Sequence, residues 1–183
     1  IQPDFVFHLA AQALVRPSYE SPLETITTNA IGTANLLDAL RGIDKSVVAV
    51  MITSDKAYDN VEWVWGYRET DRLGGKDPYS ASKGMAELVI KTYVESFFNS
   101  KDSNVSVGIA RAGNVIGGGD WAIDRIVPDC VQAWALNKTV DIRSPKATRP
   151  WQHVLEPLSG YLVLADALAR DNKFHGEAYN FGP

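Results

Sequence analysis

Val47-Val48-Ala49-Val50-Met51-Ile52-Thr53-Ser54-Asp55-Lys56 passes from six apolar side chains directly into two hydroxyls, a carboxylate and an amine. An unbroken apolar run of this length reads as a strand buried on both faces, the situation of strands in a parallel sheet covered by helices. Its polar ending matters as much, because open α/β sheets bind ligands outside the carboxyl ends of their strands. Upstream, Phe5 to Leu9 reads as a second short buried strand, followed by the small residues Ala10-Ala11-Gln12, where another molecule can come close to the backbone. Between the two strands, Thr25 to Leu40 carries Ile26, Ala30, Ala34 and Leu37 at helical spacing, with Gly42 as a stop signal. Strand, helix and strand in this order predict a doubly wound parallel α/β sheet.

Downstream, Asp77-Pro78 supplies an N-cap and a proline at the first helical position, so Tyr79 and Lys83 stand at i and i+4 on one helix face. An ammonium one turn from a phenol favours the phenolate, which makes the tyrosine a usable base near neutral pH. A lone Tyr-x-x-x-Lys is a weak motif, and a solvated pair on a helix surface satisfies it equally well. Here it follows, by one crossover, a strand that ends in Ser54-Asp55-Lys56. That company marks a candidate active site.

The helix is expected to run from Pro78 to about Phe97, and Val105 to Ala110 to form a third strand ending at Arg111-Ala112-Gly113-Asn114. Residues 57–77 show no period but hold Trp63, Trp65 and Gly74-Gly75; a long aromatic loop of this kind is expected to be an ordered lid. Gly117-Gly118-Gly119-Asp120 breaks regular structure and lacks the Lys-Ser/Thr of a P-loop, so it reads as a flexible turn on the substrate side. A helix over Ile123 to Leu136, a brief strand at Val140 to Ile142, a helix over Leu155 to Ala169 and a last strand at Tyr179 to Phe181 complete the expectation.

At 45% hydrophobic over 183 residues, the chain can bury a core of one domain or slightly more. A net charge of −4 argues against general nucleic-acid binding, though arginines can still meet a phosphorylated small molecule. The single cysteine, Cys130, cannot form an internal disulfide and reads as a packed thiol. His8, His153 and His175 lack metal-ligand spacing, so no metal is expected. With no apolar run long enough to span a membrane and no signal-peptide pattern, a cytoplasmic location is the default. The opening Ile1-Gln2-Pro3-Asp4 has no initiator methionine and reads as the start of a fragment.

Six ordered blocks carry a resemblance that runs from end to end: His8-Leu9-Ala10-Ala11-Gln12, Thr53-Ser54-Asp55-Lys56-Ala57-Tyr58, Trp65-Gly66-Tyr67-Arg68-Glu69, Asp77-Pro78-Tyr79-Ser80-Ala81-Ser82-Lys83, Arg111 to Trp121, and Arg149-Pro150-Trp151-Gln152-His153-Val154. The chain resembles the extended short-chain dehydrogenase/reductase family, and within it the nucleotide-sugar 4,6-dehydratases that act on CDP-glucose. The resemblance implies a Rossmann-like fold, with residues 1–115 as the later part of an NAD-binding domain and 116–183 as part of a substrate-binding region with segments returning to the core. It implies NAD as cofactor, bordered by Leu9, Ala10, Ala11, Tyr79, Lys83 and Ala112. Asn114 would sit by the sugar, while Arg125, Arg143 and Arg149 would hold the diphosphate.

By the same resemblance, Tyr79, helped by Lys83 and Ser54, would take the proton of the sugar's C4 hydroxyl while hydride passes to NAD. A base, Lys56, would remove the C5 proton, Asp55 would protonate the departing C6 hydroxyl, and hydride would return to C6. Related dTDP-glucose dehydratases carry glutamate where Lys56 stands, so Lys56 can serve only if its surroundings keep it partly neutral. The family also implies a homodimer, or a higher homo-oligomer, formed through two long helices. Two other readings stay open: an epimerase or reductase of the same family, which needs Tyr79 and Lys83 alone, and an inactive fragment that acts in assembly. The latter has support in the missing glycine-rich GxxGxxG turn, which predicts weak NAD binding by these 183 residues.

Overall fold

The computed structural model describes residues 2–100, 102–122 and 124–183. In chain order the elements are β1 (Phe5–His8), α1 (Val15–Glu20), α2 (Pro22–Ile26), α3 (Gly32–Leu40), β2 (Val47–Ile52), α4 (Pro78–Tyr93), β3 (Val105–Ala112), β4 (Val115–Ile116), α5 (Ile126–Ala135), β5 (Gln152–His153), α6 (Leu155–Arg170) and β6 (Ala178–Phe181). One four-stranded sheet has the order β1-β2-β3-β6, with every neighbouring pair parallel. β4 and β5 form a separate parallel pair. The expected doubly wound, Rossmann-like α/β architecture is present.

β2 reads as a continuous apolar run because both its faces are covered. Val47, Ala49 and Met51 pack with Leu37 and Leu40 of α3, and with Ile90, Val94 and Phe98 at and beyond the end of α4. Val48 and Val50 face the other way, onto Tyr161, Leu164, Ala165 and Leu168 of α6. Each such side chain taken fully out of water contributes about 1.5–3 kcal/mol. The sheet is therefore a rigid floor, and its carboxyl edge is a fixed platform.

Several boundaries move for physical reasons. The first long helix begins at Pro22, where Ser21 precedes a proline at the first helical position, and it widens into a π turn over Thr27–Ile31. β3 runs two residues past Ala110 because β6 pairs with it from Ile109 to Ala112. The expected strand at Val140–Ile142 does not form: no strand lies beside it among the described residues, and Ile142 is 50% exposed. α5 starts at Ile126, three residues after Ile123, which lies outside the described residues. α1 was not anticipated, since a six-residue helix with Pro17 in its first turn carries no readable period.

Gly160 on α6 lies under the Phe181 ring of β6, which would approach an added Cβ to 2.2 Å. Gly160→Ala forces that ring or the helix to move. It is expected to cost about 1–3 kcal/mol in a urea melt, the usual penalty of overpacking.

Candidate active site

At the end of β2, Ser54 caps the short turn Asp55–Ala57: its Oγ accepts from Lys56 N at 3.2 Å and donates to Asp55 Oδ1 at 3.1 Å. Asp77 caps α4 as the sequence indicates, accepting from Ser80 N at 2.9 Å, and Pro78 follows it. This geometry sets Tyr79 in the first turn of α4, 8% exposed, beside the Ser54 hydroxyl, and buries Lys83 one turn deeper at 6% exposure. A cleft of about 800 Å³ opens above them. Ser54, Asp55, Lys56, Tyr79, Asn114, Arg125, Arg143 and Arg149 all line it.

Lys83 lies below that lining, and among the described residues its amine makes no hydrogen bond or ion pair. Leu9, 52% exposed, and Ala10 stand open at the end of β1, Ala11 is half-buried, and Ala112 is buried at the end of β3. These four therefore border the neighbouring edge of the sheet and not the cleft itself.

The electrostatics differ from the expectation that the lysine lowers the phenol. Burial pushes the Tyr79 phenol above its ordinary value; Ser54 and Arg125 oppose this, while Asp55 and Asp77 add to it. Burial also pushes Lys83 down to about 8, and Glu87 works against that fall. In the free protein the lysine would thus lose its proton before the phenol does, and a neutral amine cannot stabilise a phenolate. His8, hydrogen-bonded to Thr33 Oγ1 at 3.2 Å, is lowered by burial and by Lys83, so it does not compete for the proton.

Two polar clusters around the cleft went unassigned in the sequence. Asn29, in the π turn, accepts from Gln12 N at 2.8 Å and donates to Gln12 O at 3.0 Å and to Ser82 Oγ at 2.8 Å. It ties the turn after β1 to α4. The readable signal was a polar row at helical spacing, Thr25, Asn29 and Thr33, beside the apolar stripe.

The second cluster is a buried ion pair, Arg111 with Glu87. Arg111 Nε and Nη2 donate to the two Glu87 oxygens at 2.8 and 2.9 Å, and Thr53 Oγ1 donates to Glu87 as well. Arg111 Nη1 also donates to Tyr58 Oη at 2.7 Å and to Glu69 O at 2.9 Å. Burial opposes the guanidinium charge, but Glu87 and Tyr58 more than offset it and hold Arg111 above its ordinary value.

This cluster corrects the reading of residues 57–77 as a lid. Tyr58 stacks on Tyr67 at 5.1 Å, and Asn180 Oδ1 of β6 accepts a hydrogen bond from the Tyr58 hydroxyl while its Nδ2 donates to Tyr67 O. Tyr58 and Tyr67 anchor the segment to β6, while Trp63 and Trp65 stay exposed. None of residues 58–76 lines the cleft.

Three arginines of the cleft, Arg16, Arg125 and Arg143, rest on aspartates. Arg143 and Arg16 share Asp124 Oδ1, at 2.8 and 3.0 Å. Arg16, on the unanticipated α1, is an addition to the expected set. Arg125 Nε comes within 3.1 Å of Asp120 Oδ2, yet among the described residues its buried N–H has no aligned acceptor. Arg149 is exposed and donates to Thr148 O at 2.6 Å. Cys130 is half-buried on α5, and no cluster of metal-ligating side chains occurs among the described residues.

A parallel sheet whose carboxyl edge carries Ser54, Asp55 and Lys56 beside a Tyr79–Lys83 helical pair defines a Rossmann-like protein of the short-chain dehydrogenase/reductase class. Within that class, the chain belongs to the GDP-mannose 4,6 dehydratase family, which matches residues 1–180. It is 54% identical over 185 residues to a CDP-glucose 4,6-dehydratase of Salmonella typhimurium, covering 100% of this chain and 52% of that one. It is 26% identical over 198 residues to a UDP-glucose 4-epimerase of Mycoplasma pneumoniae, covering 100% and 56%. Among solved structures, a dTDP-glucose 4,6-dehydratase double mutant from Streptomyces venezuelae, determined with NAD bound, matches with a TM-score of 0.80 and 25% identity, over 98% of this chain and 52% of the other. The chain spans about half the length of these relatives.

Proposed function

We propose that the whole protein is an NAD-dependent nucleotide-sugar 4,6-dehydratase that converts CDP-glucose to CDP-4-keto-6-deoxyglucose in the cytoplasm. The observation that carries the reading is the placement of a carboxylate and an amine, Asp55 and Lys56, on the Ser54-capped turn in the same cleft as the Tyr79 phenol. An epimerase or reductase needs the phenol and Lys83 but has no departing hydroxyl to protonate. The 54% identity to a CDP-glucose enzyme supports both the reaction and the nucleotide.

The residues present fit the dinucleotide. Lys83 is a buried amine with no partner among the described residues, and the backbone after β1 is bordered by small side chains. Leu9, Ala10, Ala11, Ala112, Tyr79 and Lys83 would hold NAD. When bound, NAD supplies the carbon that accepts hydride from C4 of the sugar and returns it to C6.

Tyr79 takes the proton of the C4 hydroxyl, with the Ser54 hydroxyl orienting the phenol. Lys56 takes the C5 proton made acidic by the new ketone. Asp55 protonates the departing C6 hydroxyl; the C5 proton is given back to C5 as hydride arrives at C6, and the proton that Tyr79 took replaces the one Asp55 gave, so the net change is loss of water. Asn114 meets the sugar. Arg125, whose Nε–H has no aligned acceptor among the described residues, and Arg143 and Arg149 hold the diphosphate by exchanging aspartate or carbonyl partners for phosphate oxygens, which suit guanidinium forks. Residues 116–153 would then belong to the substrate side, while α6 and β6 return to the sheet.

Homodimer formation through the helices is supported by apolar side chains left exposed on them, including Leu23, Met85 and Leu88. No helix among the described residues is long and apolar enough to cross a membrane.

The test is a panel of CDP-, dTDP-, UDP- and GDP-glucose given to the whole protein, with the 4-keto-6-deoxy product followed. CDP-glucose is expected to exceed the others by about tenfold or more in kcat/KM, the discrimination a few base contacts supply. Equal rates would remove the nucleotide assignment. A product that keeps its C6 hydroxyl with C4 inverted would replace the dehydratase by an epimerase.

A further inference from the structure

Lys83 is useful only while it carries its proton, and its surroundings work against that. It is 6% exposed on α4, which packs against α2 and α3. The charged or titratable groups that act on it are Glu87 on its own helix and His8 from β1; Asp55, Asp77 and Arg125 act on Tyr79 one turn before it, and Arg111 from β3 is bound to Glu87. Asn29 and Thr33, from the helix opposite, are uncharged. His8 is kept neutral by burial and by Lys83 itself. Asp55 sits at the cleft wall beside Tyr79, where its charge falls on the phenol. Among the described residues, Glu87 is the one buried carboxylate on the lysine's side.

Its position is not incidental. Glu87 stands four residues after Lys83 on the same helix, one turn further from the cleft, and is 2% exposed. Both of its oxygens are fixed: Arg111 grips each of them in a fork, and Thr53 adds a third bond. A carboxylate held this way cannot swing away or pick up solvent. No direct ion pair joins it to Lys83 among the described residues, so it acts through its field across one helical turn, where low polarity strengthens the effect.

We propose that Glu87, locked by Arg111 and Thr53, is a positioning residue that keeps the Lys83 side chain in its ammonium form at the base of the cleft. Without it, burial alone would strip the proton from Lys83 near neutral pH and leave Tyr79 without its cationic partner. The direction matches the opposition of Glu87 to the burial of Lys83.

The inference rests on the reading of Tyr79 and Lys83 as the catalytic pair, but its test needs neither substrate nor turnover. The whole protein is labelled with [ε-13C]lysine, the Lys83 resonance is assigned by its loss in Lys83→Met, and its titration is followed by NMR. In the parent protein the midpoint is expected near 8. In Glu87→Gln it is expected to fall by about one pH unit or more, the usual effect of deleting a nearby buried opposite charge. Because Glu87→Gln leaves Arg111 unpaired and can fail to fold, Glu87→Gln/Arg111→Gln is the second variant. Its midpoint is expected to fall as well, by less, since the repelling guanidinium is removed together with the carboxylate.

A purely structural ion pair predicts an unmoved midpoint in the folded double variant. That result, or a raised midpoint in either variant, overturns the proposal. Failure of the sugar panel would remove the reaction and leave this titration as it is. An unmoved titration would remove the role of Glu87 and leave the reaction.

Discussion

Tyr79→Phe in the whole protein is expected to lower the rate of 4-keto product formation by about 10²–10⁴, the range a positioned general base supplies. Its thermal melt should stay within about 0.5 kcal/mol of the parent, as for a substitution that leaves packing alone. The two halves of this result test different things. The phenol is 8% exposed and packed at the start of α4, so phenylalanine fills the same space, and the hydroxyl faces Ser54 and the cleft. Only the proton-accepting oxygen is lost. A loss of rate without loss of stability places that oxygen in the chemistry. A variant retaining more than a tenth of the parent rate would instead assign the first proton transfer to another group.

The acidic limb of the pH profile adds a sign to the same argument. Burial, Asp55 and Asp77 hold the phenol above its ordinary value against Ser54 and Arg125, so the resting tyrosine is protonated at neutral pH. Activity is therefore expected to rise with pH across the neutral range, as the fraction of enzyme able to accept the proton grows. Asp77→Asn removes one of the two opposing carboxylates and should move that limb to lower pH. The amide oxygen can still accept from Ser80 N, so the helix start is retained.

Much of the fold was legible because its signals are local. The run Val47–Ile52 is apolar throughout only because two layers cover it, and Asp77-Pro78 starts a helix by its own chemistry. Tyr79 and Lys83 share a helix face by spacing alone. The strand misread at Val140–Ile142 shows the limit: its alternation of apolar and polar residues is real, but a strand also needs an edge to pair with, and the short pairing here goes to β4 and β5. The tryptophan-bearing segment was misjudged for a related reason. Aromatic content reports that a loop is anchored, and the anchor, Asn180, comes from more than a hundred residues away.

The order in which Lys83 and Tyr79 lose protons was hidden for a different reason. Burial depends on what the rest of the chain places over a residue, and spacing cannot give it. Glu87 illustrates this on one helix, since a glutamate four residues past a lysine reads as a solvated ion pair until the sheet beneath it is known. Arg111 completes the case: odd-numbered residues of β3 face α4, so a charge at this strand end must find its partner there.

That pairing sets the largest stability effect expected in the molecule. Arg111→Met is expected to cost about 3–5 kcal/mol in urea unfolding, because it leaves Glu87 charged, buried and without its fork. Thr53 still donates one bond to Glu87, which is too little to replace two charge-assisted ones. Glu87→Leu/Arg111→Met should recover most of that loss, since a buried ion pair replaced by apolar residues of similar volume is often neutral or better. The double variant still differs from the parent in one respect. Arg111 alone links Glu87 to Tyr58 and to the Glu69 carbonyl, so residues 58–69 lose a tether to β3 whichever residue fills position 87. Restored global stability together with faster proteolysis between Tyr58 and Glu69 is the expected pair of results. If stability and protease resistance returned together, Asn180 and the Tyr58–Tyr67 stack would be sufficient to hold the segment, and Arg111 would serve Glu87 alone.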